Sequence, residues 1–187
     1  METKPHICPV WIGYIMASPL RKLQQNPNKI LAPFIKEGMN ILEIGPAMGF
    51  FSIPMAKMTG NSGKVYCADI QENMLTKLYR RASKAGVNHI IETRLTSSDS
   101  LNIDDLKNSI DFTILAFVVH EVPDQSNLFS AVAEAMKKNS SLLFMEPKGH
   151  VNMLEWEKSI SIAKENGLQF EQNIKVTGSR AALLKKI

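Results

Sequence analysis

Residues 40–69 read NILEIGPAMGFFSIPMAKMTGNSGKVYCAD, and the rest of the chain is organised around them. Ile41, Leu42 and Ile44, interrupted only by Glu43, predict a buried parallel strand. The run stops at Gly45-Pro46. After Gly49, the apolar residues Phe50, Phe51, Ile53, Met55, Ala56 and Met58 recur on a helical period. A second apolar run over residues 65–68 closes on Asp69. Strand, glycine turn, helix, strand and acid make one β-α-β crossover. Gly45 lets the chain turn where a side chain would clash, and Gly49 lets the backbone approach a ligand. A carboxylate just past the second strand is placed to accept hydrogen bonds from two ribose hydroxyls, close to the ~20-residue spacing of nucleoside-binding units. The GxGxxG loop of a dinucleotide fold is missing, because only Gly45 and Gly49 are present and Pro46 intervenes.

Composition bounds what this unit can belong to. The chain has 187 residues, which predicts one domain with a core of its own. Hydrophobic content of 44% and charged content of 21% are those of an ordinary soluble globular protein. Cys8 and Cys67 cannot build a disulfide framework, and Cys67 falls in a predicted buried strand, which points to a reducing compartment. No run approaches the ~18 consecutive apolar residues of a spanning helix. The start, METKPHICPV, lacks the basic-then-apolar order of a secretory signal, so a cytoplasmic location and no membrane span are expected. The net charge is +4, and the basic residues are dispersed. Nucleic-acid binding favours clustered positive charge, so no nucleic-acid partner is expected. A homodimer stays open.

Along the chain, Pro5, Pro9, Pro19 and Pro27 break residues 1–30 into short pieces around the apolar VWIGYIM. Two readings of this arm are open: a lid over the cleft carrying Tyr14, or structural cover. Residues 30–35 predict a helix leading to the first strand of a domain spanning 31–187. A helix is expected over about 72–85, with Met74, Leu75, Leu78 and Ala82 on its buried stripe. A third, less regular strand follows over 88–95, then the polar loop TSSDSL. Residues 111–119 predict a central parallel strand and the start of its loop. His120-Glu121-Val122-Pro123-Asp124 follows, with Asp124 or Ser126 as the next helix cap. Residues 141–145 predict the fifth strand, ending in Glu146-Pro147-Lys148-Gly149-His150. An amphipathic helix over 152–166 ends at Gly167, and residues 170–176 and 180–186 predict two last strands.

Glu43-Ile44-Gly45-Pro46-Ala47-Met48-Gly49 resembles the first motif of the class I S-adenosylmethionine-dependent methyltransferases, with Ala47 where a glycine is common. VVHEVPDQSNL and FMEPKGHV resemble the loops after the fourth and fifth strands of their ubiquinone and menaquinone branch. The resemblance implies a three-layer α/β/α sandwich with a seven-stranded, mostly parallel sheet and an antiparallel last strand. It implies S-adenosyl-L-methionine as cofactor and methyl transfer to a small-molecule acceptor. Glu43, Gly45, Pro46, Ala47 and Gly49 would line the loop that wraps the methionine part, Asp69 would hold the ribose, and Ile70 beside it would contact the cofactor. Ser97 or Ser98 would approach the adenine amino group, with Asp99 slightly late. Ala116 and the arm's Tyr14 would complete the cofactor site. A nucleic-acid or protein methyltransferase, or a module that binds the cofactor without transfer, are the other readings.

Methyl transfer from a sulfonium needs orientation, desolvation and, for some acceptors, a base. His120 is the candidate catalytic base, because its ordinary pKa lies near neutrality and it follows a rigid strand. A purely structural His120 is the competing reading. Glu121 either orients it or forms a salt bridge elsewhere, and it is a candidate substrate-binding residue. Glu146 and His150 border the same edge and are candidate substrate-binding groups. Lys148 suits an acidic substrate, and a solvated loop lysine equally. His6, Cys8, His120 and His150 lack the dense ligand pattern of a zinc site, so no metal is expected.

Overall fold

The computed structural model describes residues 25–97 and 100–187. Its strands are β1 (Asn40–Ile44), β2 (Lys64–Asp69), β3 (Ile91–Leu95), β4 (Ile110–Ala116), β5 (Met136–Pro147), β6 (Leu168–Asn173) and β7 (Ser179–Lys186). Helices α1 (Pro27–Leu31), α2 (Ser52–Thr59), α3 (Glu72–Lys84), α4 (Gln125–Ala135) and α5 (Met153–Glu165) connect and flank them. The strands form one sheet in the order β3-β2-β1-β4-β5-β7-β6. The pairs among β1 to β5 are parallel, whereas β7 runs antiparallel to both β5 and β6. This is the three-layer sandwich implied by the sequence motifs.

Why the strands read as near-continuous apolar runs is visible in their packing. Successive side chains alternate between faces, and both faces are covered. Ile41, Val65, Ile91 and Phe112 pack with Leu31, Met55 and Leu78 from α1, α2 and α3. Leu42, Leu142, Phe144 and Leu184 pack on the opposite face with Phe129, Val132 and Trp156 from α4 and α5. Phe144 stacks on Trp156 with ring centroids 4.6 Å apart and has no exposed surface. Truncating it to alanine would cost ~3–5 kcal/mol through lost transfer energy and the cavity left behind.

The sheet also fixes where a ligand can sit. From β1 the chain crosses to β2 and β3 on one side, then returns to β4 on the other. The carboxyl ends of β1 and β4 therefore flank the topological switch point, where α/β sheets open a crevice.

Several boundaries differ from the sequence expectation. The helix expected over 30–35 lies earlier, at α1, because Asn26 caps it and Pro27 occupies its first turn. Ala32 still has helical backbone and donates to Asn28 O, but Pro33 has no N–H to continue the ladder, so the helix ends there. The division expected between residues 30 and 31 thus passes through α1. β3 starts at Ile91, since Ile90 closes a turn on Val87. Within the 111–119 stretch expected to hold β4 and the start of its loop, the strand ends at Ala116 and the loop begins where Phe117 takes a positive φ of 63°. β5 extends back to Met136 through the polar residues KKNSS, which carry no strand pattern. Asp124, one of the two expected caps, accepts from the Asn127 N–H at 2.9 Å.

Candidate active site

The loop after β1 is shaped by backbone geometry. Gly45 has φ 70°, and a Cβ there would lie 2.7 Å from Val118 Cγ2. The turns that follow β1 and β4 therefore touch, and a side chain at Gly45 would drive them apart. Gly49 has φ 83°, and a Cβ there would meet Leu78 Cγ at 3.3 Å and Ile53. Its missing side chain thus leaves room for Leu78 of α3 against the loop before α2, a reason beyond the ligand approach expected from sequence. Ala47 stands between them at φ 47°, left-handed backbone that glycine adopts more easily.

Asp69 closes this side. It is 9% exposed, and its carboxylate accepts from Gln71 N–H at 2.9 Å and Ala47 N–H at 3.3 Å. Burial pushes its pKa up, and these backbone donors hold it part of the way back. A carboxylate with two oxygens retains acceptor capacity after two such bonds, so it suits a pair of vicinal hydroxyls. Ile70 beside it is 45% exposed, an apolar surface suited to one face of a purine. The acid, the adjoining apolar surface and the glycine loop fit the nucleoside and methionine parts of S-adenosyl-L-methionine.

Glu43 points elsewhere. Its Oε2 accepts from Ser52 Oγ at 2.5 Å, and Cys67 Sγ lies 4.0 Å away. It is 2% exposed. Burial pushes its pKa up to about 7, against the Ser52 hydrogen bond and with help from the Asp69 charge. Glu43 thus ties the end of β1 to the start of α2.

Across the crevice, Phe117 N–H donates to Met145 O at 2.8 Å before the chain turns out of β4. Val119–Glu121 form a single 3₁₀ turn, so His120 sits on a turn and not on a continuing strand. Glu146, at the end of β5, holds that turn. Its Oε1 accepts from His120 N–H at 3.1 Å, and its Oε2 lies 2.6 Å from His120 Nδ1. Glu146 is 1% exposed, while 26% of the His120 side chain remains accessible. The Glu146 hydrogen bond raises the His120 pKa most; burial opposes it, and the charges of Glu146, Glu121 and Glu155 add to the rise. Gln125 supports the turn, donating to Val119 O at 3.3 Å and accepting from Ser159 Oγ at 2.9 Å.

The remaining expected residues divide between rim and exterior. His150 is exposed, with its ring centroid 6.1 Å from that of His120. Lys148 is exposed on the same loop, and Lys148 N–H donates to Gly178 O. Arg180 turns to Val151 O at 2.6 Å. Ala116 ends β4, and Pro46 lies in the glycine loop. Ser97 accepts from Ser100 N–H in the loop after β3. Ser98, Asp99, Tyr14, His6, Cys8 and the arm over 1–24 lie outside the described residues. Among the described residues no cluster of three His, Cys, Asp or Glu suits a metal ion, and no helix is long and apolar enough to cross a membrane. Orienting His120 is one of two roles that the sequence leaves open to Glu121; the carboxylate on the His120 ring is that of Glu146, brought there by a β4–β5 pairing that no local pattern announces.

The ubiquinone/menaquinone biosynthesis C-methyltransferase of Escherichia coli is 24% identical over 112 residues, 60% of this chain and 44% of that protein. The match thus spans less than half the length of that relative. A SAM-dependent methyltransferase from Aquifex aeolicus superposes with a TM-score of 0.85 at 23% identity, over 97% of this chain and 100% of that one. A candidate rRNA-methylase from Clostridium thermocellum superposes with a TM-score of 0.68 at 14% identity, over 87% and 94%. The profile of the methyltransferase domain matches residues 35–180. On that match the chain belongs to the methyltransferase domain family, with the fold of the class I S-adenosyl-L-methionine-dependent enzymes.

Proposed function

We propose that this chain transfers a methyl group from S-adenosyl-L-methionine to a small acceptor held between the 119–121 turn and the loop after β5. One observation carries the reading: the Gly45 turn and the Val118 turn touch, which brings the loop tied to Asp69 beside the turn that carries His120. The cofactor supplies the activated methyl group on its sulfonium. Asp69 binds the ribose, the 45–49 loop receives the methionine part, and Ile70 covers the adenine. His120 acts on the acceptor, and Glu121, Lys148 and His150 form its rim. Tyr14 and Ser98 belong to the same proposal through the family resemblance, with Ser97 beside them and Glu43, Pro46 and Ala116 shaping the pocket. Such a reaction suits a cytoplasmic protein.

A second reading has its own observation. Lys77, Arg80, Arg81 and Lys84 fall at i, i+3, i+4 and i+7 on α3, which gathers positive charge that looks dispersed in sequence. Such a stripe suits the phosphate backbone of an RNA acceptor. Incubation of the chain with isotopically methyl-labelled cofactor and a cell extract separates the two. The proposal expects label in the small-molecule fraction. Label confined to an RNase-sensitive fraction would replace it with the second reading.

A further inference from the structure

The His120–Glu146 pair says more than that a histidine lines the crevice. Both oxygens of one buried carboxylate engage the same residue, one at its backbone N–H and one at its ring. A histidine that merely filled space would not need its main chain and its imidazole fixed together. The clamp fixes the turn and the ring plane at once, and it is built on the buried carboxyl half of β5, which is flanked by β4 and β7. A carboxylate only accepts hydrogen bonds, so the ring nitrogen facing it carries the proton. That leaves Nε2 as the basic nitrogen.

We infer that Glu146 is a positioning residue that holds His120 as the Nδ1–H tautomer, so that Nε2 takes a proton from an acceptor arriving still protonated on its nucleophilic atom. The inference rests on the methyl-transfer reading above and names the acceptor's chemistry: a hydroxyl or an amine-type N–H, and not a thiolate or carboxylate that arrives already charged. As the acceptor's O–H or N–H proton passes to Nε2, the freed electron pair forms the bond to the methyl carbon. The carbon–sulfur bond breaks with its electrons going to sulfur, which turns the sulfonium into a neutral thioether. The proton leaves to solvent from the accessible edge of His120. Glu146 raises the proton affinity of the ring it orients. Around that ring stand Glu121 on its own turn, Glu155 from α5 and His150 from the loop after β5. The surroundings are therefore net acidic and favour a ring that can hold the transferred proton.

Two readouts on the full chain test this. Nitrogen-15 NMR of labelled histidines, with S-adenosylhomocysteine added, reports tautomer and titration directly, and His120→Gln assigns the signal. The inference expects the Nδ1–H tautomer and a titration above the ordinary histidine value near 6.5. In Glu146→Gln that titration should fall back toward the ordinary value, and in Glu146→Asp it should recover in part. An Nε2–H tautomer in the wild type, or an unchanged titration in Glu146→Gln, would overturn the inference. The second readout is label transfer to the extract against pH. Glu146→Gln should lower transfer at least ~10-fold and move its rising limb to lower pH, with S-adenosylhomocysteine affinity unchanged. Equal pH profiles would overturn the positioning role. Absence of transfer to any fraction by the wild type would instead sink the methyl-transfer reading, while the NMR result still decides the clamp. If Glu146→Gln does not fold, the wild-type tautomer and Glu146→Asp carry the test.

Discussion

The two turns that meet at the crevice are made by different means. The 45–49 turn is written locally: Gly45 and Gly49 take positive φ, and its tie to Asp69 runs through one backbone N–H. The 117–121 turn is held from a distance, by Met145 and Glu146 on β5 and by Gln125 on α4. Each turn also holds one non-glycine residue in left-handed backbone, Ala47 and Phe117. Strain of that kind persists only where the surroundings over-determine it. The side proposed for the cofactor is thus backbone chemistry that many ligand-holding α/β proteins share. The side proposed for the acceptor is a side-chain arrangement that depends on how β4 and β5 pair.

If that division is right, substitutions on the two sides should fail in different ways. The largest effect belongs to the acceptor side. His120→Gln should lower the single-turnover rate by ~10²–10⁴-fold, the usual worth of a general base. Its S-adenosylhomocysteine affinity, read by calorimetry, should match the wild type. A loss of affinity instead would place His120 on the cofactor side and erase the division.

A smaller effect concerns pH. Glu146 raises the folded-state pKa of His120, so the pair's stabilisation is complete below the unfolded value near 6.5. It is lost as pH rises through the raised folded value. The Tm difference between wild type and Glu146→Gln should therefore be greatest in mildly acidic buffer and shrink toward alkaline pH. A difference that grows with pH would mean that the charged pair does not stabilise the turn. The smallest effect sharpens the cofactor side. Ala47→Gly relieves left-handed strain of ~1–2 kcal/mol and gives back part of it as unfolded-chain entropy. A net gain under ~1 kcal/mol is expected in denaturant unfolding, and a net loss would show that the alanine methyl makes a contact the glycine cannot replace.

The legibility of the sequence follows the same division. The apolar runs of β1, β2 and β4 could be read because both faces of those strands are buried, and the glycines and Asp69 could be read because their roles are local. The start of β5 could not, since KKNSS carries no apolar period and extends only by pairing. Nor could the Glu146 clamp, because His120 and Glu146 are far apart in sequence and meet only through strand register. Glu43 was visible as an acid in the first motif, but its turn toward Ser52 depends on where α2 begins. The basic stripe of α3 was present as residues and became a surface only once the buried stripe of Met74, Leu75, Leu78 and Ala82 set the helix's rotation.

The central claim is that the β1–β2 side holds the nucleoside of S-adenosyl-L-methionine through Asp69, and one titration tests it most directly. Calorimetry of the full chain with S-adenosylhomocysteine should give a Kd near micromolar, about −8 kcal/mol, with no comparable binding of NAD. Asp69→Ala, folded by circular dichroism, should bind ~10- to 100-fold more weakly, since it loses charged hydrogen bonds worth ~1.5–3 kcal/mol. Tight NAD binding with no S-adenosylhomocysteine binding, or an Asp69→Ala affinity equal to the wild type, would contradict the account.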